Sequence, residues 1–143
     1  FNEIEYFGRG EKENYNDFNS HAPIGLYTAK VADEHEPYIR PQDNSNHSDV
    51  SYLKLKNEKG EEILIYSDKR FDFNVHNYTQ ALLQKADHRE DIYDQKTTFV
   101  TINGFTKGTG TGSCGPATLP EYSIDASKEL AFNFIIAPRK SEK

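Results

Sequence analysis

The chain has 143 residues, enough for one domain with a real hydrophobic core and too few for two comfortable ones. Its formal net charge of -6, from 17 Lys and Arg against 23 Asp and Glu, excludes an electrostatic grip on nucleic acid or an anionic membrane, which needs clustered cations. The single cysteine, Cys114, excludes an internal disulfide, and no run of about 20 apolar residues is present to span a bilayer.

Taken in chain order, most apolar runs follow the two-residue period of half-buried strands and are rich in Tyr, Phe, Ile and Val. FNEIEYFGRG starts inside such a run, with Ile4 and Tyr6 on one face, and a start at Phe1 within a strand predicts a piece cut from a longer polypeptide. IGLYTAKV, residues 24–31, predicts a second strand. VSYLKLKNEKGEEILIYS predicts a hairpin: Tyr52, Leu53 and Leu55 lead into the turn Asn57-Glu58-Lys59-Gly60, and Ile63 to Tyr66 return. RFDFNVHNY alternates Phe71, Phe73 and Val75 with polar residues, so its other face is expected to meet water or a neighbouring chain.

TQALLQKAD, residues 79–87, is the only stretch of good helix formers, with Thr79 placed as N-cap. TTFVTINGF and LAFNFIIA predict two more strands, Tyr122 to Ile124 reads as strand-like, and a frayed tail is expected over residues 138–143 after a domain covering 1–137. The six prolines, Pro138 among them, fall where strands should stop. One short helix among many strands gives an all-β fold, an antiparallel β-sandwich with a helical connection.

Between the last strands, Gly110, Gly112 and Gly115 match G-x-G-x-x-G, the pattern whose glycines bring backbone N–H groups to a pyrophosphate at the start of a helix. Pro116 and Pro120 leave no room for that helix, so a tight surface loop is the expected structure. DNSNHSD, residues 43–49, alternates oxygen-bearing side chains but has Ser48 where a calcium loop of the EF-hand type needs Gly and Lys54 where it needs an acid; a polar turn is expected there. The histidines, at 21, 35, 47, 76 and 88, form no zinc pattern and are expected on surfaces or strand faces. Asn46 and Asn77 open N-glycosylation triplets that matter only in a secretory compartment. Cys114 has no histidine near it in sequence, and no motif singles out a catalytic acid and nucleophile.

Four stretches, YFGRGEKENYNDF, EPYIRPQDNSNHSDVSYLKL, FDFNVHNYT and GTGTGSCGPATLPEY, together resemble the C-terminal domain of the large bacterial β-galactosidases of glycoside hydrolase family 2, LacZ-type, also found as a separate small chain. The resemblance covers nearly the whole sequence. It implies part of an antiparallel supersandwich like that of galactose mutarotases, and a parent enzyme that hydrolyses terminal β-D-galactosides such as lactose with retention. That chemistry uses two glutamates about 5 Å apart. In the family they lie on a (β/α)8 barrel that this chain lacks, so the chain alone is expected to be inactive and noncatalytic. No cofactor is implied in this domain; the parent's Mg and Na are held mainly elsewhere.

The same resemblance implies that the loop from Gly108 to Pro116 reaches the sugar site and touches the galactoside substrate. A tryptophan often stands there in the family, but this sequence has none, and Cys114 occupies the aligned position. Gly112, Ser113 and Cys114 are therefore the expected substrate-binding residues, closing one side of the site through backbone groups and small side chains. Arg9 or Arg40 is expected to pair with a buried carboxylate, Tyr15 and Tyr38 to hydrogen-bond across the sandwich, and Asn14 to make a turn. Partners implied are the remaining domains of the enzyme in a homo-oligomer, with a cytoplasmic location and no nucleic acid or membrane. A second reading, an autonomous carbohydrate-binding module of the mutarotase-like fold, rests on the abundance of Tyr and Phe; a third, a mutarotase-type epimerase, rests on the fold alone.

Overall fold

The computed structural model describes residues 1–109 and 117–140. Its elements are β1 (Glu3–Arg9), β2 (Ile24–Lys30), β3 (His47–Lys56), β4 (Glu61–His76), α1 (Gln80–Lys85), β5 (Phe99–Asn103) and β6 (Ile135–Lys140). All six strands join one antiparallel sheet in the order β2-β1-β3-β4-β5, with β6 also paired to β4. Among the described residues the fold is thus all-β with a single short α-helix, as the strand periodicity predicts.

The β3–β4 hairpin is closed by its turn chemistry. Gly60 adopts φ 76°, a conformation that strains any residue with a Cβ, and Asn57 Oδ1 accepts from the backbone N–H groups of Lys59 and Glu61 at 3.0 and 2.9 Å. β4 is one continuous 16-residue strand, where the sequence pattern predicts two. Its first part, Glu61–Tyr66, pairs with β6 and its last part, Asp72–His76, with β5, so one edge serves two partners. The pairing of β3 with β4 jumps from Tyr52↔Tyr66 to Val50↔Phe71, and that irregularity absorbs the intervening polar residues.

One sheet face carries the core. Ile4 and Tyr6 of β1, Val50, Leu53 and Leu55 of β3, and Ile65, Phe71, Phe73 and Val75 of β4 are buried, with Val31 over them and Phe132 packed against the cluster. Tyr6 and Phe73 meet edge to face at 5.1 Å between centroids, worth about 0.5–1.5 kcal/mol beyond the area they bury. Phe73 has no exposed surface, so Phe73→Ala would cost about 3–5 kcal/mol.

The opposite face of the sheet is different in kind. The register sets Leu26 opposite Phe7, Phe7 opposite Tyr52, Tyr52 opposite Tyr66 and Tyr66 opposite Ile135, forming an apolar row across five strands. Two rows away, Lys30, Glu3, Lys56, Glu62 and Arg139 form a row of alternating charge by the same pairings.

Three expectations change. Strand β6 starts at Ile135, later than LAFNFIIA predicts, and runs through Pro138 to Lys140, past the boundary expected at residue 137. Pro138 is tolerated because β6 pairs on one side only. Tyr122 ends a 3-10 turn, Pro120–Tyr122, and is not in a strand. The helix is shorter than residues 79–87, but its cap is as expected: Thr79 Oγ1 accepts from Leu82 N–H at 3.1 Å.

Candidate functional site

Where β1 ends, the chain turns under itself around Asn14, which has no exposed surface. Its Nδ2 donates to the carbonyls of Arg9 and Lys12 at 3.2 and 2.9 Å, and its Oδ1 accepts from Ser48 N–H and Oγ–H at 3.0 and 2.6 Å. Its own N–H donates to Asn46 O at 2.8 Å. Asn14 is therefore a buried clasp between the Gly10–Phe18 loop and the start of β3, a larger role than turn-making. Arg9 pairs with Asp49 at 2.5 Å, but that carboxylate is 44% exposed rather than buried, and Arg40 is exposed.

The middle of the polar segment 43–49 is buried rather than a surface turn: Asn44, Ser45, Asn46, His47 and Ser48 all lie inside, while Asp43 is exposed. Asn46 Nδ2 donates to Asn14 O at 2.8 Å and to Asp72 Oδ2 at 3.2 Å, so that amide is not available to a glycan in the folded chain. His47 and His76 stand in strands, one of the two places expected for the histidines, but both are buried rather than at the surface. The two are covered on different faces: His47, opposite Phe73 and packed on Tyr6, lies on the core face, where Glu34 meets its Nε2, whereas His76 lies on the other face with Asn74 and meets Asn44, and the sequence pattern reveals neither partner.

Between the Glu13–Phe18 loop, segment 38–46, the end of β4 and the residues after β5 lies a solvent-open cleft of about 560 Å3. Glu13 stands on one wall and collects three donors: Tyr15 O–H at 3.2 Å, Ser45 N–H at 2.6 Å and Tyr38 O–H. Burial, and then the Glu13 carboxylate, push the Tyr38 phenol up to about 12 and the Tyr15 phenol higher, so both remain protonated donors at neutral pH. Tyr15 and Tyr38 thus converge on one carboxylate. Asn46, Asn74 and Asn103 add amides, and Phe18 and Tyr38 add exposed ring surface. Burial also pushes the Asp72 carboxyl, beneath Asn46, above its ordinary range.

Asn74 sits at the base of the cleft, 6% exposed, with its Oδ1 buried and without a hydrogen-bond partner. Asp72, Asn74 and His76 are the polar members of FDFNVH, expected to meet water or a neighbouring chain; Asn74 and His76 are instead covered by this chain itself. Their alternation was visible in the sequence, but not the segment that covers them. Among the described residues, no group of three or more His, Cys, Asp or Glu is arranged to hold a metal ion. Hydrogen-bond recognition of a polar ligand is the chemistry that the cleft supports.

Gly112, Ser113 and Cys114, with Gly110, Thr111, Gly115 and Pro116, lie outside the described residues. The two ends of that loop are fixed. Gly108 N–H donates to Tyr122 O at 2.8 Å, Thr118 Oγ1 donates to Gly108 O at 2.9 Å, and Thr109 N–H donates to Asp17 Oδ1 at 3.1 Å. A Cβ on Gly108 would lie 2.7 Å from Asp17 Cγ, so this glycine permits a close backbone approach. Thr109, where the loop leaves the described chain, lines the same cleft.

Comparison with known proteins finds similarity over most of the sequence. A protein from Actinobacillus pleuropneumoniae named beta-galactosidase is 31% identical over 135 residues, covering 94% of this chain and 13% of that protein. Those of the same name from Oenococcus oeni and Kluyveromyces lactis are 31% and 30% identical over 123 and 138 residues, covering 85% and 96% of this chain and 12% and 13% of theirs. The chain therefore spans about one eighth of the length of the curated relatives it matches. The family model described as beta galactosidase small chain matches residues 1–136, and the chain belongs to that family.

Proposed function

We propose that this chain is the noncatalytic C-terminal domain of a family 2, LacZ-type β-galactosidase, an enzyme that hydrolyses terminal β-D-galactosides such as lactose with retention. The observation that carries the reading is the family match over residues 1–136, together with relatives named beta-galactosidase of which this chain covers only 12–13%. The two catalytic glutamates of such an enzyme belong to its barrel, so the isolated chain has no turnover of its own. The domain's contribution is to complete the sugar-site wall and to support assembly of a cytoplasmic homo-oligomer, with Mg and Na bound elsewhere in the parent.

Gly112, Ser113 and Cys114 make the contact with substrate in this reading. The anchoring of Gly108 and Thr109 supports it, since a loop held at its base delivers small residues and backbone groups with little loss of conformational freedom. The test is Cys114→Trp in the full-length enzyme. An indole at that position adds a flat face for sugar C–H groups, so lactose affinity should rise and the ratio of transfer to hydrolysis should change. Unchanged values for both would remove the loop from the sugar site. Turnover of a nitrophenyl galactoside by the purified 143-residue chain would overturn the noncatalytic assignment.

A further inference from the structure

We propose that the free edge of β2 is a self-recognition surface, along which two copies of this chain pair antiparallel about a twofold axis at Tyr27 and join their sheets into one. Among the described strands β2 pairs with β1 alone, so one of its edges is open. The phase of the ladder says which groups lie there. At its two ends Gly10 N–H donates to Pro23 O at 3.4 Å and Val31 N–H donates to Asn2 O at 3.0 Å. Bonded pairs in an antiparallel ladder alternate with non-bonded ones, so Gly25, Tyr27 and Ala29 aim their main-chain groups at β1, whereas Ile24, Leu26, Thr28 and Lys30 aim theirs outward. Those four residues are exposed, and among the described residues nothing hydrogen-bonds to their main chain on the outer side.

The other edge strands are blunted. β6 contains Pro138, which has no N–H, and ends in Arg139 and Lys140, and β5 is only five residues long. β2 has seven residues, no proline, and a single charge, Lys30, at its end. The strand's own sequence selects a second copy as its occupant. With the axis at Tyr27, Leu26 stands opposite the partner's Thr28 and Ile24 opposite the partner's Lys30, so each outward residue exchanges N–H and C=O bonds with the other strand. Lys30 is thereby kept from the partner's Lys30, and its aliphatic stem lies along an isoleucine. Tyr27 meets the partner's Tyr27 at a non-bonded position, where side chains approach most closely. An axis at Leu26 would leave Lys30 outside the ladder, and one at Lys30 would set like charges face to face.

The contact belongs to this chain as it stands and does not rest on the reading of its parent. The test is amide hydrogen exchange of the 15N-labelled 143-residue chain at micromolar and at millimolar concentration, with sedimentation equilibrium over the same range. Half-dimerisation is expected on the order of 0.1–1 mM, the weak end for a small, mostly main-chain interface. The amides of Ile24, Leu26, Thr28 and Lys30 should exchange fast when dilute and slowly when concentrated, while those of Gly25, Tyr27 and Ala29 stay protected throughout. Thr28→Pro deletes one outward N–H, leaves the bonds to β1 in place and touches no member of the apolar row, so it should weaken the dimer about tenfold or more. Thr28→Val keeps the N–H and should dimerise as the unsubstituted chain does.

Association that leaves the four outward amides exchanging fast is packing of the apolar face and overturns the proposal. Undiminished association of a folded Thr28→Pro also overturns it, and the exchange pattern decides alone if that variant does not fold. A monomer at every concentration overturns it as well; slow exchange of the same amides in the full-length parent would then assign the edge to another segment of that protein.

Discussion

His47 Nε2 lies 2.8 Å from Glu34 Oε2, and both residues are buried. On the other ring nitrogen, Nδ1 meets the Tyr6 hydroxyl at 2.9 Å, so a single imidazole ties β1 and β3 to the segment that follows Val31–Asp33. Removing the carboxylate strands a buried ring nitrogen with no route to water. Glu34→Ala should therefore lose roughly 1–3 kcal/mol in urea unfolding. The double variant Glu34→Ala/His47→Leu should lose less than the sum of the two single variants, because the second change deletes the group that the first one stranded. A Glu34→Ala midpoint equal to that of the unsubstituted chain contradicts the pinning role.

His76 predicts the acid response. Burial holds this imidazole at about 4, against an ordinary 6.5, with the neighbouring His35 lowering it further and Asp43 opposing. Its Nε2 donates to Asn44 Oδ1 at 3.1 Å and its ring stacks on Tyr78 at 4.6 Å. With the folded value depressed, the unfolded chain takes up the proton first as pH falls. This contribution is intact above 6.5 and drains away toward pH 4, by roughly 3 kcal/mol in all. His35, also lowered by burial, acts in the same direction, whereas Asp72, pushed up by burial, acts in the opposite one. His76→Phe keeps the stack and removes the titration, so its stability should vary less between pH 7 and pH 4. Parallel pH profiles for the two proteins exclude His76 as the source.

These two histidines also mark where the sequence stops being legible. The strands, the Asn57–Gly60 turn and the Thr79 cap follow from local rules, since alternation, an Asn-to-Gly turn and a hydroxyl before a helix need no distant partner. Polar residues inside strands do not reveal what covers them. Asn74 and His76 alternate with Phe73 and Val75 in the manner of solvent-facing positions, yet segment 38–46, separated from them by about thirty residues in sequence, closes over that face. Asn14 and Glu13 lie within YFGRGEKENYNDF, one of the stretches that carry the family resemblance, but only the fold shows one as a clasp and the other as the collector of two tyrosines.

Asn14→Ala tests the clasp. The substitution leaves Ser48 N–H buried without its acceptor and frees the carbonyls of Arg9 and Lys12, so a loss of roughly 3 kcal/mol is expected in denaturant unfolding. Asn14→Asp keeps the acceptor side and loses both Nδ2 donations, which should place it between the alanine variant and the unsubstituted chain. If Asn14→Asp is the worse of the two, burial of the new charge outweighs the retained Ser48 contacts, and the hydrogen-bond account of this position is incomplete.

The outer face of the sheet makes a prediction about association. Leu26 is 62% exposed and Ile135 52%, at the two ends of the apolar row that Phe7, Tyr52 and Tyr66 complete. A contiguous apolar strip of this kind favours burial against another surface, and in a solution of this chain alone the available surface is a second copy. Elution volume in size-exclusion chromatography should therefore fall as concentration rises. Leu26→Lys with Ile135→Lys should restore a monomer. Both side chains are exposed, so each change should alter stability by less than about 0.5 kcal/mol, and a loss of association cannot then be ascribed to unfolding. A concentration-independent monomer for the unsubstituted chain would show that the polar rows flanking the strip hold enough water to keep it apart.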